Sequence, residues 1–453
     1  MRSLKERQSS KLLAVAYIFC FTAAALGDSV FLPSTMKVAT LLAVCMAFVI
    51  LLVHGDFNNI RLIGGFVIVY AIWIFVIMVY SMIIWILNFE SVRFIMRGCS
   101  KVSYQLILIA VIAAAAYMFG EKAIHYTFYG LALGNAVIAL LYIPSFGISG
   151  VVSSFIDFVL TMGDATGYMR RLEIHDITFT YGFFLIYFLL FDKISSKRVK
   201  VFNIIVAAVF FYIGFKRIAI ASFFLVLAVG FFLGKLTPKA QLKIMRLIAV
   251  CGILFACVYL VFIKYGLFVQ IMNDLGVDIK GRDVLYGYID KYYRISPAFW
   301  GFGFEYVHIM MLEIAEAGGR QFNGMIDIHN DFMRVYIEMG FWGFLAWLYY
   351  TLIFQFNWIK SKFSSDTLRL FLLCEIYIFM TYMTDNTLFY FFTGMVLRMM
   401  PLCHALHIDR DKREYGGKLV LLNDQEQRRF EILSERGQES VTLYKKKTKD
   451  RNR

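Results

Sequence analysis

Charged residues are scarce in this chain. They make up 17% of its 453 residues, whereas hydrophobic residues make up 60% and the mean hydropathy is +0.66. A typical soluble domain has roughly 25% charged residues. Many apolar runs approach the ~20 residues that a helix needs to cross a bilayer. These features argue against a soluble protein with a very large core and predict a polytopic membrane protein.

Cysteine is absent from the one long polar segment, which runs from about Lys264 to Gly340. The chain has seven cysteines, and all except Cys99 fall in or at the ends of apolar runs. A disulfide framework or a thiolate metal site therefore has no support in that segment. Such a segment suits an oxidising compartment without needing a disulfide.

Twelve apolar runs predict an all-α fold of about twelve transmembrane helices. They lie near residues 12–32, 38–53, 62–87, 102–119, 124–143, 176–192, 200–215, 218–234, 246–263, 341–358, 368–384 and 387–403. With the N-terminus in the cytoplasm, this order places most Lys- and Arg-rich connections inside, as membrane proteins prefer. Residues 264–340 then form one large extracytoplasmic loop. We expect a transmembrane domain over 1–404 that includes this loop, and a charged cytoplasmic tail over 405–453.

The net positive charge is explained by the orientation of the protein in the membrane rather than by binding to nucleic acid. Much of the net charge of +14 lies in short connections and in the last fifty residues. The basic end of the tail is expected to touch anionic membrane lipids. A cleaved signal peptide is the alternative interpretation of the first apolar run. A retained signal-anchor helix is the simpler one, because more spans follow.

The polar segment carries a set of motifs at defined spacing. They are Gly281-Arg282 with Tyr286 four residues on, Pro297, Gly301-x-Gly303, His329-Asn330 and Glu338-x-Gly340. This pattern resembles the large extracytoplasmic loop of the O-antigen ligase and polymerase superfamily. The likeness covers this loop, and it extends to the rest of the chain only through topology.

The resemblance implies a metal-independent glycosyltransferase that needs no cofactor. Its substrate would be an undecaprenyl-diphosphate-linked oligosaccharide in the bacterial inner membrane, with both termini in the cytoplasm. We expect a polymerase of O-antigen or capsular repeat units. The alternatives are a ligase that transfers the finished glycan to lipid A core and, from another class, a polysaccharide flippase or transporter. A flippase and a chain-length regulator of the same pathway would be its partners.

Nothing in the sequence indicates a nucleotide-sugar or ATP site. The single Asp-x-Asp is Asp409-Arg410-Asp411, at the start of the predicted tail, and no glycine-rich phosphate loop of the Walker type is present. The donor must therefore arrive already activated. We predict no nucleic-acid partner and no metal ligands.

Three arginines at the predicted outer face are candidates for binding a diphosphate. Arg171, Arg217 and Arg282 lie where positive charge is otherwise unfavourable, and a guanidinium binds phosphate oxygens through two hydrogen bonds. The resemblance supports Arg282 within Gly-Arg. It also supports Arg217, although Lys216 stands where the family usually has Ser. It leaves open which of Arg170 and Arg171 matters.

His329 is the candidate general base for activating the acceptor hydroxyl, with phosphate binding as the alternative role. Asn330 fits an N-cap with Asp331 in the first helical turn. Arg282 is expected to share the catalytic site. Asn330, Glu338, Gly301 and Gly303 are expected to support the loop. For Glu338, an ion pair within the helix packing competes with a role as a second carboxylate.

Overall fold

The computed structural model describes residues 4–28, 35–54, 58–88, 90–161, 165–276, 281–318 and 327–415, and these residues form helices without any β-strand. The helices are α1 (Leu4–Asp28), α2 (Thr35–His54), α3 (Asn58–Leu87), α4 (Val92–Phe119), α5 (Lys122–Leu160), α6 (Gly167–Leu172), α7 (His175–Leu190), α8 (Lys197–Ile213), α9 (Arg217–Gly234), α10 (Pro238–Lys264), α11 (Leu267–Asp274), α12 (Arg282–Ile289), α13 (Tyr306–Gly318), α14 (Asp331–Tyr349), α15 (Gln355–Lys362), α16 (Ser365–Thr381) and α17 (Phe391–Tyr415). The all-α prediction is therefore confirmed for the described residues.

The helices account for the apolar runs of the sequence. Each of the twelve runs overlaps one of these helices. Six helical segments in the described part of the chain are long and apolar enough to cross a membrane: Leu62–Leu87, Phe94–Phe119, Lys122–Leu160, Arg217–Gly234, Pro238–Lys264 and Asp331–Lys362. Shorter apolar helices cover Lys11–Gly27, Val38–Val53, His175–Leu190 and Phe391–Leu406. These helices indicate a membrane protein. The tail predicted for 405–453 lies largely outside the described residues.

Glycines allow α1 and α5 to pack closely against each other. A Cβ atom on Gly130 would lie 2.5 Å from Cβ of Phe21, and one on Gly134 would lie 2.5 Å from Cβ of Ala25. The two glycines are four residues apart, so they lie on one face of α5. Small residues at such positions are typical of helix contacts in membranes, where close backbone approach supplies the packing energy.

Contacts sort the helix ends into two groups. At one end, Glu121 before α5 approaches His404 of α17 at 3.2 Å, and Lys193 after α7 pairs with Asp366 of α16 at 3.0 Å. At the other end, Asp176 of α7 accepts hydrogen bonds of 2.8 Å from the backbone N–H groups of Phe392 and Thr393 at the start of α17. This second end also receives the polar segment, which begins at the end of α10 and runs into the first half of α14.

Helix α7 lies at the centre of this packing. Every residue from Asp176 to Phe188 is buried, although a lone surface helix would expose one face. Its first turn is fixed at the end that receives the polar segment. The residues immediately before it are therefore held close to that segment.

Candidate functional site

The predicted helix start at Asn330 is confirmed. Asn330 has an extended backbone, and its side-chain oxygen accepts a hydrogen bond of 3.0 Å from the N–H of Met333. Asp331 occupies the first turn of α14, where a negative charge is favourable. The amide Nδ2 of Asn330 donates to the hydroxyls of Tyr259 and Tyr286, at 3.2 and 3.3 Å. The His-Asn motif is thereby tied to the Gly-Arg helix through Tyr286.

Arg282 reaches the connection between α16 and α17. Helix α12 begins at Arg282 after Gly281, whose φ of +75° is a left-handed conformation that favours glycine. The Nη2 atom of Arg282 donates to the carbonyl of Thr384 at 2.8 Å. Its Nε is buried and has no hydrogen-bond partner among the described residues. The guanidinium thus retains donor capacity beside Thr384.

His329 lies next to the same connection. Its Nδ1 is 3.8 Å from Oδ1 of Asp385, and 38% of its side chain is exposed. Its φ of +46° is uncommon for a residue other than glycine. Such conformations persist only where surrounding contacts hold them. Here the neighbouring Asn330 is held by two tyrosine hydroxyls. With Nδ1 directed at Asp385, Nε2 is the ring nitrogen that can accept a proton.

Asp385 is buried and heavily restrained. Its Oδ1 accepts hydrogen bonds from the N–H of Asn386 at 2.8 Å and from the hydroxyl of Tyr390 at 3.0 Å. Burial by itself would raise the pKa of this carboxyl. The contact with His329 and the positive charge of Lys216 outweigh burial, so that the pKa lies well below its ordinary value. Asp385 is therefore a fixed negative charge between the His329 loop and the starts of α7 and α9.

A pocket of about 460 Å³ adjoins this carboxylate. It is lined by Tyr104, Tyr142, Arg170, Arg171, Glu173, Ile174, His175, Asp176, Phe389, Tyr390 and Phe391. Both candidate arginines of this region line it, and both are exposed. Tyr390 belongs to the pocket wall and also donates to Asp385. The pocket and the His329–Asp385 pair are therefore neighbours.

Lys216, rather than Arg217, faces the pocket wall. The Nζ of Lys216 is 2.6 Å from Oε1 of Glu173 and 3.0 Å from Nε2 of His175. Arg217 is the first residue of α9, is exposed, and does not line the pocket. Lys216 is the N-cap residue before α9 and has an extended backbone, so its side chain does not follow the helical direction of Arg217. The structure therefore brings Arg171, Arg282 and His329 to one end of the helices and leaves Arg217 outside this pocket.

No protein-family model, curated protein or solved structure matches this chain.

The glycines of the loop allow two backbone segments to pair. The N–H of Gly303 donates to the carbonyl of Glu338 at 2.8 Å, and the N–H of Phe341 donates to the carbonyl of Phe299 at 2.8 Å. Gly301, Gly303 and Gly340 have φ values of +81°, +89° and +67°. A Cβ atom on Gly340 would lie 2.2 Å from the carbonyl carbon of Trp300. Gly301, Gly303 and Gly340 thus permit the close approach of the two backbone segments.

Glu338 takes part in a buried ion-pair cluster around Arg334. The guanidinium of Arg334, 2% exposed, donates to Glu338 at 3.2 Å, to Glu305 at 2.7 Å and to Asp327 at 3.2 Å. It also lies 3.8 Å from the ring centre of Phe389. Burial opposes the ionised form of Asp327, but the charge of Arg334 outweighs it and lowers the pKa of that carboxyl. For Glu338, the ion-pair role is the one that the contacts favour.

Sequence reasoning missed three residues of this site: Asp385, Glu173, and Lys216 as the partner of Glu173 and His175 in the pocket wall. Asp385 lies in Thr384-Asp385-Asn386, a short polar stretch between two apolar runs. Its signal was present, because a carboxylate at the end of a predicted span is unfavourable without a partner. The sequence carried no comparable signal for choosing Lys216 over Arg217.

The arrangement can perform acid–base chemistry next to bound negative charge. A histidine with one nitrogen directed at a buried carboxylate can accept a proton at the other nitrogen. The arginine-lined pocket can bind phosphate oxygens. Among the described residues, no group of three or more His, Cys, Asp or Glu side chains has the geometry to hold a metal ion.

Proposed function

We propose that this protein is a polymerase of lipid-linked polysaccharide repeat units. It transfers the growing glycan from undecaprenyl diphosphate to the incoming lipid-linked unit. The observation that carries the proposal is the position of His329, 3.8 Å from the buried Asp385 and beside the pocket that contains Arg170 and Arg171. The loop motifs of the sequence support the same assignment.

The proposed topology has twelve spans with both termini in the cytoplasm of a bacterium. Its support is the sorting of helix ends, because the end with Lys193 and Arg369 also carries Lys197, Arg198 and Lys200 at the start of α8 and Lys235 and Lys239 around the start of α10. Basic connections prefer the cytoplasmic side. His329, Arg282 and the pocket then face the periplasm, within the inner membrane. Residues 264–340 are the outer loop.

In the proposed reaction, the acceptor hydroxyl gives its proton to Nε2 of His329 while its oxygen bonds to the anomeric carbon of the donor sugar. The bond between that carbon and the phosphate oxygen breaks, and the lipid diphosphate leaves with the electron pair. Asp385 stabilises the imidazolium that forms. Arg171, with Arg170 and Arg282, stabilises the negative charge on the diphosphates.

The test is a gel of surface polysaccharide from the native host with the gene deleted. Core that carries a single repeat unit in the deletion strain supports a polymerase. Core without any repeat, with polymer retained on its lipid carrier, supports the ligase instead. A ladder that is unchanged in a strain without a second such gene contradicts both. Lipid-linked units accumulating on the cytoplasmic side would indicate a flippase.

Complementation of the deletion strain tests whether His329 is required for the reaction. Wild type is expected to restore the ladder, and His329→Ala at normal protein level is expected not to. The control is His308→Ala, because His308 belongs to the same polar segment but pairs with Asp327 at 3.3 Å. It is expected to restore most of the ladder. Full restoration by His329→Ala would remove the proposed base.

A further inference from the structure

Two carboxylates line the pocket beside Asp385. Asp176 is buried and accepts hydrogen bonds from the N–H groups of Phe392 and Thr393, whereas Glu173 is a carboxylate that a pure diphosphate site would not need. Arg170, Arg171 and His175 line the pocket, and Lys216 contacts its wall, yet Glu173 lies among them. A phosphate would be repelled by this negative charge. The composition of the pocket therefore suits a ligand that combines an anion with hydrogen-bond donors.

The position of Glu173 is fixed through one oxygen. Oε1 lies 2.6 Å from Nζ of Lys216 and 3.5 Å from Nε2 of His175. Both contacts use Oε1, and Oε2 has no protein partner among the described residues. The carboxylate is 24% exposed. A carboxylate group offers about four acceptor positions, so Glu173 is a held, ionised acceptor with unused capacity.

The size of the pocket agrees with a larger ligand. Its volume of about 460 Å³ falls within the roughly 300–1,000 Å³ of small-molecule sites. A diphosphate alone is a small group and would leave much of this space empty. The aromatic residues Tyr104, Tyr142 and Phe391 also line it. Sugars have hydroxyl or amide donors together with apolar C–H faces.

We propose that this pocket binds the first sugar together with the diphosphate, and that Glu173 selects a neutral sugar by accepting a hydrogen bond from it. This assignment rests on the proposed function. Arg170 and Arg171 hold the phosphate oxygens, and Oε2 of Glu173 accepts from a hydroxyl or amide N–H. A sugar that itself carries a carboxylate is rejected, because two carboxylates would face each other without a proton between them.

The test measures binding of three probes to purified full-length protein in detergent. They are farnesyl diphosphate, farnesyl-diphospho-N-acetylglucosamine and farnesyl-diphospho-glucuronic acid. Wild type is expected to bind the N-acetylglucosamine probe at least about tenfold more tightly than either of the others, since a hydrogen bond to a charged group supplies this much. Glu173→Gln is expected to reduce both preferences to about twofold or less. It should bind farnesyl diphosphate as well as wild type or better.

Asp274→Asn is the matched control, because Asp274 is an exposed carboxylate at the end of α11. It should keep both preferences. If wild type binds none of the probes, the proposed function of the pocket fails. If wild type binds all three equally, or if Glu173→Gln keeps the preferences, the role of Glu173 is overturned while the diphosphate site stands. If Glu173→Gln does not fold, the affinities of wild type for the neutral and the acidic sugar probe still test whether the pocket selects a neutral sugar.

Discussion

Oδ1 of Asp385 lies 3.8 Å from Nδ1 of His329, although one residue follows α16 and the other precedes α14. Two further contacts hold these segments together. The N–H of Asp331 donates to the carbonyl of Tyr382 at 2.9 Å, and the N–H of Leu388 donates to the Asp331 carboxylate at 2.8 Å. The connection 382–390 is therefore part of the candidate site, as much as the polar segment is.

We predict that His329→Ala lowers kcat of glycan transfer by about 10²–10⁴-fold, the usual contribution of a general base. Asp385→Asn is expected to lower kcat by about tenfold or more and to change KM little, because Asp385 acts through the imidazole. Arg171→Ala should mainly raise KM. The measurement is polymerisation of purified lipid-linked repeat units. Asp283→Asn, at an exposed carboxylate of α12, is the control. A large KM effect of Asp385→Asn would contradict its positioning role.

Asn330→Ala is predicted to destabilise the fold by about 2 kcal/mol. A lost N-cap costs about 0.5–2 kcal/mol, and two buried tyrosine hydroxyls lose a donor as well. Thermal unfolding in detergent measures the effect. Ser196→Ala removes the cap of α8, whose hydrogen bond is long at 3.5 Å and exposed, so it should cost less. Equal melting temperatures for the two variants would show that the tyrosine contacts contribute nothing.

Gly340→Ala is predicted to prevent normal folding. The added Cβ would lie 2.2 Å from the carbonyl carbon of Trp300 and 2.5 Å from the carbonyl oxygen of Phe299. Gly266→Ala is the matched control, because Gly266 has a similar φ of +71° but no atom within 4 Å of the added Cβ. It should cost only about 1–2 kcal/mol for the left-handed backbone. Yield of monodisperse protein and the melting temperature distinguish the two. Similar behaviour would mean that backbone conformation, not close packing, explains Gly340.

Arg334→Met is predicted to cost about 3–5 kcal/mol, the usual effect of leaving buried charges without their partner. Glu305 and Glu338 are 0% and 1% exposed beside it. Adding Glu305→Gln and Glu338→Gln to Arg334→Met should recover part of the melting temperature. The double variant Glu305→Gln with Glu338→Gln, which keeps Arg334, should instead be less stable than wild type. A strictly additive result would contradict direct coupling within the cluster.

The contribution of Glu173 to stability is predicted to disappear in acid. Burial by itself would raise its pKa, but His175 and Lys216 outweigh burial and lower the pKa from 4.5 to about 2. A carboxylate with a lowered pKa stabilises the folded state above about pH 4.5, and this contribution is lost as the pH falls toward 2. The melting-temperature difference between wild type and Glu173→Gln should be constant from pH 8 to 5 and shrink below pH 4.5. A difference that varies between pH 8 and 6 would point to another group.

The sequence by itself determined the helices and several local details. Apolar runs near 20 residues form helices, because a helix satisfies its own backbone hydrogen bonds in a low-dielectric medium. Asn330 was recognisable as an N-cap because its side chain and the following turn suffice to form the cap. The loop motifs of the sequence singled out Gly301, Gly303 and Gly340. The structure shows why glycine is needed there: residues 299–303 pair with residues 337–341, which are distant in the sequence.

Only the tertiary structure decided which side chains meet. Asp385 approaches His329 because α14, α16 and α17 pack with their ends together, and no local pattern contains that packing. Lys216 faces Glu173 while Arg217 faces outward, because the rotation of α9 about its axis depends on its neighbours. Glu338 forms an ion pair with Arg334 in a buried cluster that also contains Glu305. Helix formation is local and can be read along the chain, whereas the meeting of charges depends on long-range packing.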